Sequence, residues 1–418
     1  MPTGHLSSAL IWLISLASVV LMLVRPRRIA EAYWICGGAL LLVIARLIPF
    51  HQAGHAVYEG LDVYLFLTGM MILAELAREE GVFDWVADAA ARHAKNSPPL
   101  LFLLIYVTGM IVTAVLSNDA TAVVLTPAVL AAVRRVKVEP KPYLLACALI
   151  ANAASFIFPI SNPANLVVFG RSIPPLAAWL RIFILPSAAA VLVTYLSLRW
   201  LSRRELAGKM TPEVESVSLS LEGKLALAGL ICAAVALVIS SAMGLSLGLP
   251  TCCAAVFAMA VVTWHDRGIP VRIAKGVAWS ILPLVAGLFV IVEALQNAGL
   301  LRLGLAGLQT LSESATWMAK GVSAFAVALL SNGMNNLPVG LMSGAAIQYT
   351  HNTGILAHAM LLGVDLGPNL SVTGSLATIL WLIALRRENV EITAWEFFKV
   401  GVIAMPLALV AALFFLWN

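Results

Sequence analysis

Leu116-Ser117-Asn118-Asp119-Ala120-Thr121 lies between two long apolar runs, Leu100 to Met110 and Ala122 to Ala132. A Ser-Asn-Asp triplet in such surroundings puts a carboxylate and two hydrogen-bonding side chains where lipid-facing residues are expected. Polar groups at that depth are costly unless they line a cavity or face a partner, so the stretch reads as a functional site. It has a twin. Leu330-Ser331-Asn332-Gly333-Met334-Asn335-Asn336 repeats the Leu-Ser-Asn opening 214 positions later, again inside an apolar run. Paired polar breaks in two halves point to a transporter binding site.

Composition sets the class. Of the 418 residues, 61% are hydrophobic and 11% charged, with mean hydropathy +0.95. A soluble domain carries about 25% charged residues, so the chain is read as an all-α integral membrane protein. The net charge of +5 is then a question of sidedness and implies no nucleic-acid partner. Cys36, Cys147, Cys232, Cys252 and Cys253 all lie in apolar segments, and none joins a Cys/His cluster of zinc-ligand spacing. Vicinal Cys252 and Cys253 point in different directions on a helix, so they read as packing residues rather than a chelate. No Walker A or His-Glu-x-x-His motif occurs, and no metal or cofactor is expected. Gly244-Leu245-Ser246-Leu247-Gly248 has nucleophile-elbow spacing but falls in a loop between membrane helices, so no enzyme is inferred. The first apolar run, Ala9 to Val24, is followed by Arg25, Arg27 and Arg28 and reads as a first span.

The chain then reads as two repeats. The first, 1–205, has spans at about 8–24, 32–49 and 61–77, an amphipathic segment from Arg78 to Lys95, and a re-entrant hairpin at 99–133. A helix from Tyr143, broken at Phe158-Pro159-Ile160-Ser161-Asn162-Pro163, and a span at about 177–198 complete it. Residues 206–224 form a polar linker. The second repeat, 225–418, has spans at about 225–242, 249–264 and 277–294, an amphipathic stretch at 299–315, and a hairpin at 319–348. A helix from 355 to 382, broken around Gly367-Pro368-Asn369 and Thr373-Gly374-Ser375, precedes a last span at 396–416. Gly69, Glu75 and Gly81 match Gly287, Glu293 and Gly299 at an offset of 218, and Asn152 matches Asn369 at 217.

Five net crossings per half give about ten transmembrane helices and invert the second half relative to the first. With the first helix running outside to inside, 21 of the 26 Lys and Arg fall on the inner side. Arg46, Arg171, Arg181, Arg302 and Lys320 remain outside. The positive-inside rule therefore predicts an inner-membrane protein with both termini outside.

The breaks supply mostly amides and hydroxyls. Substrate-binding candidates in the first half are Ser117, Asn118, Thr121, Asn152, Ser161, Asn162 and Asn165. In the second half they are Ser331, Asn332, Asn335, Asn336, Asn369, Thr373, Ser375 and Thr378. The plainer alternative for any one of them is glue between helices; four clusters at matched places favour a site. Asp119 is the carboxylate at the polar tips and is read as the proton-coupling residue, since removal from water penalises its charged form. Glu75 and Glu293, near helix ends, read as structural. Asp365 has no counterpart and is expected near the outer mouth, and His351 and His358 are expected in solvent at the outer loop and helix start.

At these breaks the chain resembles ArsB-type arsenite/antimonite efflux transporters of the ion transporter superfamily. The likeness rests on Ser117-Asn118-Asp119-Ala120-Thr121 with Leu125-Thr126-Pro127 and on Met334-Asn335-Asn336-Leu337-Pro338. Above all it rests on Asp365-Leu366-Gly367-Pro368-Asn369 with Gly374-Ser375-Leu376-Ala377-Thr378. It implies an inverted-repeat fold with opposing hairpins, proton-coupled antiport, and in some members a partner ATPase of the ArsA type. A small neutral trihydroxy metalloid suits amides and hydroxyls, and no cationic residue lies in the four breaks. Two alternatives stay open: a sodium/proton antiporter, whose Asn, Ser and Asp oxygens would hold sodium, and a non-transporting membrane receptor or assembly protein.

The charge split yields a first test. Cysteine labelling is expected to place the 199–224 linker in the cytoplasm and residues 350–354 outside; finding both on one side removes the inverted-repeat reading.

Overall fold

The computed structural model describes residues 5–24, 26–170, 173–211, 218–299, 316–350 and 354–416, and every regular element among them is helical. Helices satisfy their own backbone groups, which apolar sequence surrounded by lipid requires. The first half contains α1 (His5–Val24), α2 (Glu31–Ile44), α3 (Phe50–Glu59), α4 (Leu61–Glu79) and α5 (Val82–His93). It continues with α6 (Pro98–Val115), α7 (Thr126–Arg135), α8 (Lys141–Ala153), α9 (Pro163–Phe169) and α10 (Leu176–Leu201). After the linker come α11 (Leu221–Ala242), α12 (Gly248–Thr263), α13 (Ile269–Gly276) and α14 (Ile281–Asn297). They are followed by α15 (Thr316–Met334), α16 (Asn336–Thr350), α17 (Ile355–Leu366), α18 (Leu376–Arg387) and α19 (Ala394–Phe414).

Four described helices, α6, α10, α11 and α19, are each long and apolar enough to cross a membrane. Two bent pairs, α3 with α4 at 46° and α13 with α14 at 41°, raise this to six. Large apolar side chains such as Leu192, Leu196, Ile231 and Phe257 stand exposed on α10, α11 and α12, as a lipid-facing surface requires. The protein is a multi-pass membrane protein.

α3 and α13 did not stand out in the sequence. Each is short and amphipathic, and α3 carries His51, Gln52, His55 and Glu59, too polar for a span. The amphipathic segment after Arg78 is α5; its expected partner at 299–315 lies, from residue 300, outside the described residues.

Packing repeats between the halves. α2 lies on α14 while α12 lies on α4, and α3 touches α14 while α13 touches α4. α6 packs on α8 as α15 packs on α17, and the long α10 and α19, each with an internal proline (Pro186, Pro406), pack on each other. The matched glycines explain two of these crossings. A Cβ on Gly69 would lie 2.7 Å from the Thr251 carbonyl of α12, and one on Gly287 would lie 2.9 Å from the Ile35 side chain of α2. Small residues let helices approach this closely.

Breaks fall at all four expected places, between α6 and α7, α8 and α9, α15 and α16, and α17 and α18; the first and third pairs are called the first and second hairpins below. α6 starts with Ser97 accepting from Leu100 N at 3.4 Å and Pro98 in its first turn. It ends at Leu116, and after Ser117-Asn118-Asp119 the chain restarts as a π-helical turn, Ala120–Leu125, that leads into α7. Pro127 gives the widening a cause, since it lacks an N–H and would crowd the carbonyl four residues back in an α-helix. Thr126 Oγ1 bonds Thr121 O at 3.1 Å across the widened turn.

Gly69→Ala is expected to destabilise more than Gly287→Ala, because its new methyl meets backbone rather than a side chain. Overpacking of this kind costs about 1–3 kcal/mol. Thermal unfolding in detergent measures it, with Gly321→Ala, where a Cβ meets nothing within 4 Å, as the silent control. Equal stabilities for Gly69→Ala and the control would remove this account of the α4–α12 crossing.

Candidate functional site: a cavity where the breaks meet

The two breaks of each half converge. Asn118 and Asp119 from the first hairpin, Asn162 and Pro163 from the first broken helix, Asn336 and Leu337 from the second hairpin, and Ser375, Leu376 and Ala377 from the second broken helix line one cavity of about 30 Å³. Leu67 of α4 and Ile281 and Val285 of α14 close it. That space holds about one or two waters.

Its polar wall is made of helix starts. The π turn begins after Asp119, α9 after Asn162, α16 at Asn336 and α18 after Ser375. Three of these starts have local caps: Ser117 Oγ accepts from Ala120 N at 3.1 Å, Asn162 Oδ1 from Ala164 N at 3.0 Å, and Ser375 Oγ from Thr378 N at 3.1 Å. Helix starts present N–H groups and a partial positive charge, which suit oxygen-rich ligands. No Lys, Arg or His lines the cavity.

Five of the sixteen residues singled out from the sequence thus face the cavity: Asn118, Asp119, Asn162, Asn336 and Ser375. The others hold the breaks together. Asn165 Nδ2 donates to Ser155 O at 2.8 Å and Phe158 O at 3.3 Å, and Ser161 Oγ to Ala114 O at 2.9 Å. Thr121 pairs with Thr113 at 2.8 Å inside the first hairpin, and Ser331 Oγ turns back to Val327 O at 3.0 Å. Asn332 Nδ2 donates to Ala328 O at 2.7 Å and Gly367 O at 2.9 Å, and its Oδ1 accepts from Ser371 at 2.6 Å. Thr373 Oγ1 donates to Asn332 O at 2.9 Å, and Thr378 pairs with Ser375 at 2.8 Å. Asn335, at φ 76°, accepts from Leu337 N at 3.3 Å and faces a neighbouring small cavity beside Glu31 and Met22. The matched residues Asn152 and Asn369 meet: Asn152 Nδ2 donates to Asn369 Oδ1 at 3.0 Å, and Asn369 Nδ2 to Leu149 O at 3.0 Å.

Two placements differ from expectation. Asp365 is not at the outer mouth. It is the last residue but one of α17, roughly 15 Å along the axis from the helix start. There it is fully buried, with Asn162 Nδ2 donating to its Oδ1 at 2.6 Å. The acid stands inside the Asp-Leu-Gly-Pro-Asn run that carried the family resemblance; only the opposite broken helix reveals its partner. His358 is not in solvent either; it packs edge-on to Phe183 at 5.5 Å and lies 6.2 Å from Phe169. His351 lies outside the described residues. Glu75 is ion-paired with Arg78 at 2.5 Å, as a structural residue should be. None of the five cysteines lines either cavity.

Broken helices and facing hairpins around a shared polar cavity define a membrane transporter, and the known proteins agree. The chain matches the citrate transporter family, CitMHS, over residues 11–367 and belongs to it. The likeness to ArsB-type transporters extends over nearly the whole chain. The arsenical pump membrane protein of Escherichia coli is 27% identical, with 92% of this chain and 93% of that protein aligned. An arsenical pump membrane protein of Yersinia enterocolitica is 28% identical over 80% of this chain and 81% of that one. Among solved structures, the YdaH transporter of Alcanivorax borkumensis shares the fold, with a TM-score of 0.61 at 11% identity, covering 88% of this chain and 87% of that one.

The division of labour among the asparagines can be measured. Asn332→Ala removes three hydrogen bonds, leaving the Gly367 carbonyl to Leu370 N and the Ser371 hydroxyl to Thr373, and is expected to cost about 1–3 kcal/mol of stability. Asn336→Ala, at the cavity wall, is expected to leave the thermal midpoint in detergent unchanged. The reverse order of midpoints would mean the cavity residues hold the fold.

Proposed function

We propose that the chain exports arsenite and antimonite, as the neutral trihydroxy species, across the inner membrane by proton-coupled antiport with alternating access. The observation that carries this reading is the cavity wall: amides, one hydroxyl, helix-start N–H groups and a single carboxylate, with no cation. The arsenical-pump relatives support the same substrate class. A tricarboxylate such as citrate, which the family description names, suits this wall poorly, since Asp119 would repel it and no Lys or Arg would pair with it. Antimonite shares the geometry and hydroxyl chemistry of arsenite, and the same donors and acceptors serve both.

The cavity is smaller than a four-heavy-atom solute, so the lining must part before substrate is admitted. The mutual packing of the halves supports two inverted repeats, 1–205 and 225–418, joined by the 206–224 linker, with about ten spans and both termini outside. A neutral solute draws nothing from the membrane potential. One proton moving inward down ~100 mV releases roughly 2.3 kcal/mol, which sustains a gradient of about fiftyfold for the exported solute. Asp119 is the proposed carrier of that proton: it takes it up facing outward as substrate leaves, and releases it inward before substrate binds. Association with a separate ATPase of the ArsA type would add a second energy source to the same channel of helices.

Everted vesicles test the reading. Labelled arsenite is expected to accumulate when the vesicle interior is acid, to stop accumulating with a protonophore, and to be indifferent to sodium. In Asp119→Asn, accumulation is expected to fall well below that of the wild type while downhill exchange of labelled for unlabelled arsenite survives. Accumulation driven by sodium instead would favour a sodium-coupled carrier, and normal pH-driven accumulation in Asp119→Asn would remove Asp119 as a coupling residue.

A further inference from the structure

A second carboxyl is enclosed behind the cavity. Asp365 has no exposed surface; Asn162 Nδ2 donates to its Oδ1 at 2.6 Å, the Ser155 hydroxyl lies beside the same carboxyl, and Oδ2 has no well-formed hydrogen bond among the described residues. The Ser155 hydroxyl is shared with Asn152 O at 2.8 Å, and neither Ser155 nor Asn162 brings a positive charge to the acid. An ionised carboxylate only accepts, whereas a protonated one brings an O–H donor. A proton therefore removes a buried charge that two neutral donors do not compensate.

No cation competes for that role among the described residues of the elements packed on α17. On α15, Lys320 bonds the Leu416 carbonyl at 3.0 Å. On α8, Lys141 pairs with Glu396 of α19 at 2.8 Å, Tyr143 donates to Pro98 O at 3.1 Å, and Cys147 is a buried thiol. On α19, Lys399 lies over the Trp395 ring, and His358 of α17 itself lies among Phe169 and Phe183. α9 carries no titratable residue, and none is described on α16.

We propose that Asp365 is a second proton-carrying carboxyl of the transport cycle, reached from the cavity through Asn162. Asn162 fits the task because it touches both places. Its Nδ2 holds Asp365, its Oδ1 caps α9, and the residue itself lines the cavity beside Asp119. Movement of the first broken helix against the second breaks the Asn162–Asp365 bond and lets cavity water reach Oδ2. The proton then passes from Oδ2 to water on the cytoplasmic side, and one is taken back from water on the outer side. No other bond is made or broken. Gly363 and Gly367 flank the acid and pack directly on α15, where a Cβ would lie 2.4 Å from Ala324 O and 2.7 Å from Ala328. The acid is thus held firmly on its own side while Asn162 belongs to the other half. The inference rests on the proton-coupled reading above.

The full chain in proteoliposomes tests it, with labelled arsenite flux and internal pH recorded together. Asp365→Asn keeps an acceptor for Asn162 and removes the titrating oxygen. It is expected to exchange labelled arsenite near the wild-type rate while the protons moved per arsenite fall to about half, and the double variant with Asp119→Asn is expected to move none. An unchanged proton ratio in Asp365→Asn overturns the proposal and leaves Asp365 a structural acid. Absence of arsenite flux in the wild type overturns the substrate reading instead. Infrared spectroscopy covers a variant that does not fold. In Asp119→Asn a protonated-carboxyl band that appears and disappears with external pH is expected, and a band fixed across the pH range overturns the proposal.

Discussion

Breaking a helix inside hydrocarbon frees backbone N–H and C=O groups that no water can satisfy, and each unpaired group costs on the order of 1–3 kcal/mol. The rest of this structure depends on how the four breaks meet that cost. Asn165 spans the carbonyls of the first broken helix, Asn332 ties the second hairpin to Gly367, and Asn369 reaches across to Leu149. These amides are as much backbone substitutes as side chains. Only because they satisfy the interior of each break can the helix starts on the other side be left facing a cavity.

The position of that cavity follows from helix crossings further out. Gly69 and Gly287 let α12 and α2 sit directly on α4 and α14, and α4 and α14 supply Leu67, Ile281 and Val285 to the cavity wall. The apolar side of the site is thus part of a close-packed frame, and the polar side belongs to the hairpins and broken helices. A solute must pass between the two. The ion pairs at helix ends, such as Lys141 with Glu396 and Arg272 with Glu79 at 2.9 Å, are at least partly exposed and contribute little to stability by themselves; their effect is to join elements that neighbour one another only in the folded chain. Asp266, in the loop before α13, is held below the usual carboxylate range by its hydrogen bond to Arg272.

Asp119 and Asp365 show how one residue type is divided by its surroundings. The first faces the cavity at a hairpin tip; the second is sealed behind Asn162 with no exposed surface. In the function proposed above, a neutral amide wall with an acid in front and an acid behind binds an uncharged polyhydroxy solute without trapping it. Thiolates would hold such a metalloid far more tightly, and the cysteines here pack elsewhere; Cys36, for one, bonds the Pro283 carbonyl at 3.2 Å.

Hydropathy, the Ser-Asn repeat and the prolines were enough to read the helical membrane class, the places where the helices break and the polar residue types of the cavity wall, because those features are local: an apolar run cannot end in Ser-Asn-Asp without a break, and Pro127 or Pro163 cannot sit mid-helix without distortion. What sequence could not separate was which asparagine faces the cavity and which satisfies backbone. Asn332 and Asn336 look alike along the chain, yet one makes three internal bonds and the other lines the cavity. That choice depends on partners from elsewhere in the chain, Gly367 and Ser371 for one and α9 and α18 for the other. The same holds for Asp365, whose burial depends on the packing of α17 and whose partner lies 203 residues away. Local chemistry determined where the helices must break; only the meeting of the two halves decided which side of each break became the site.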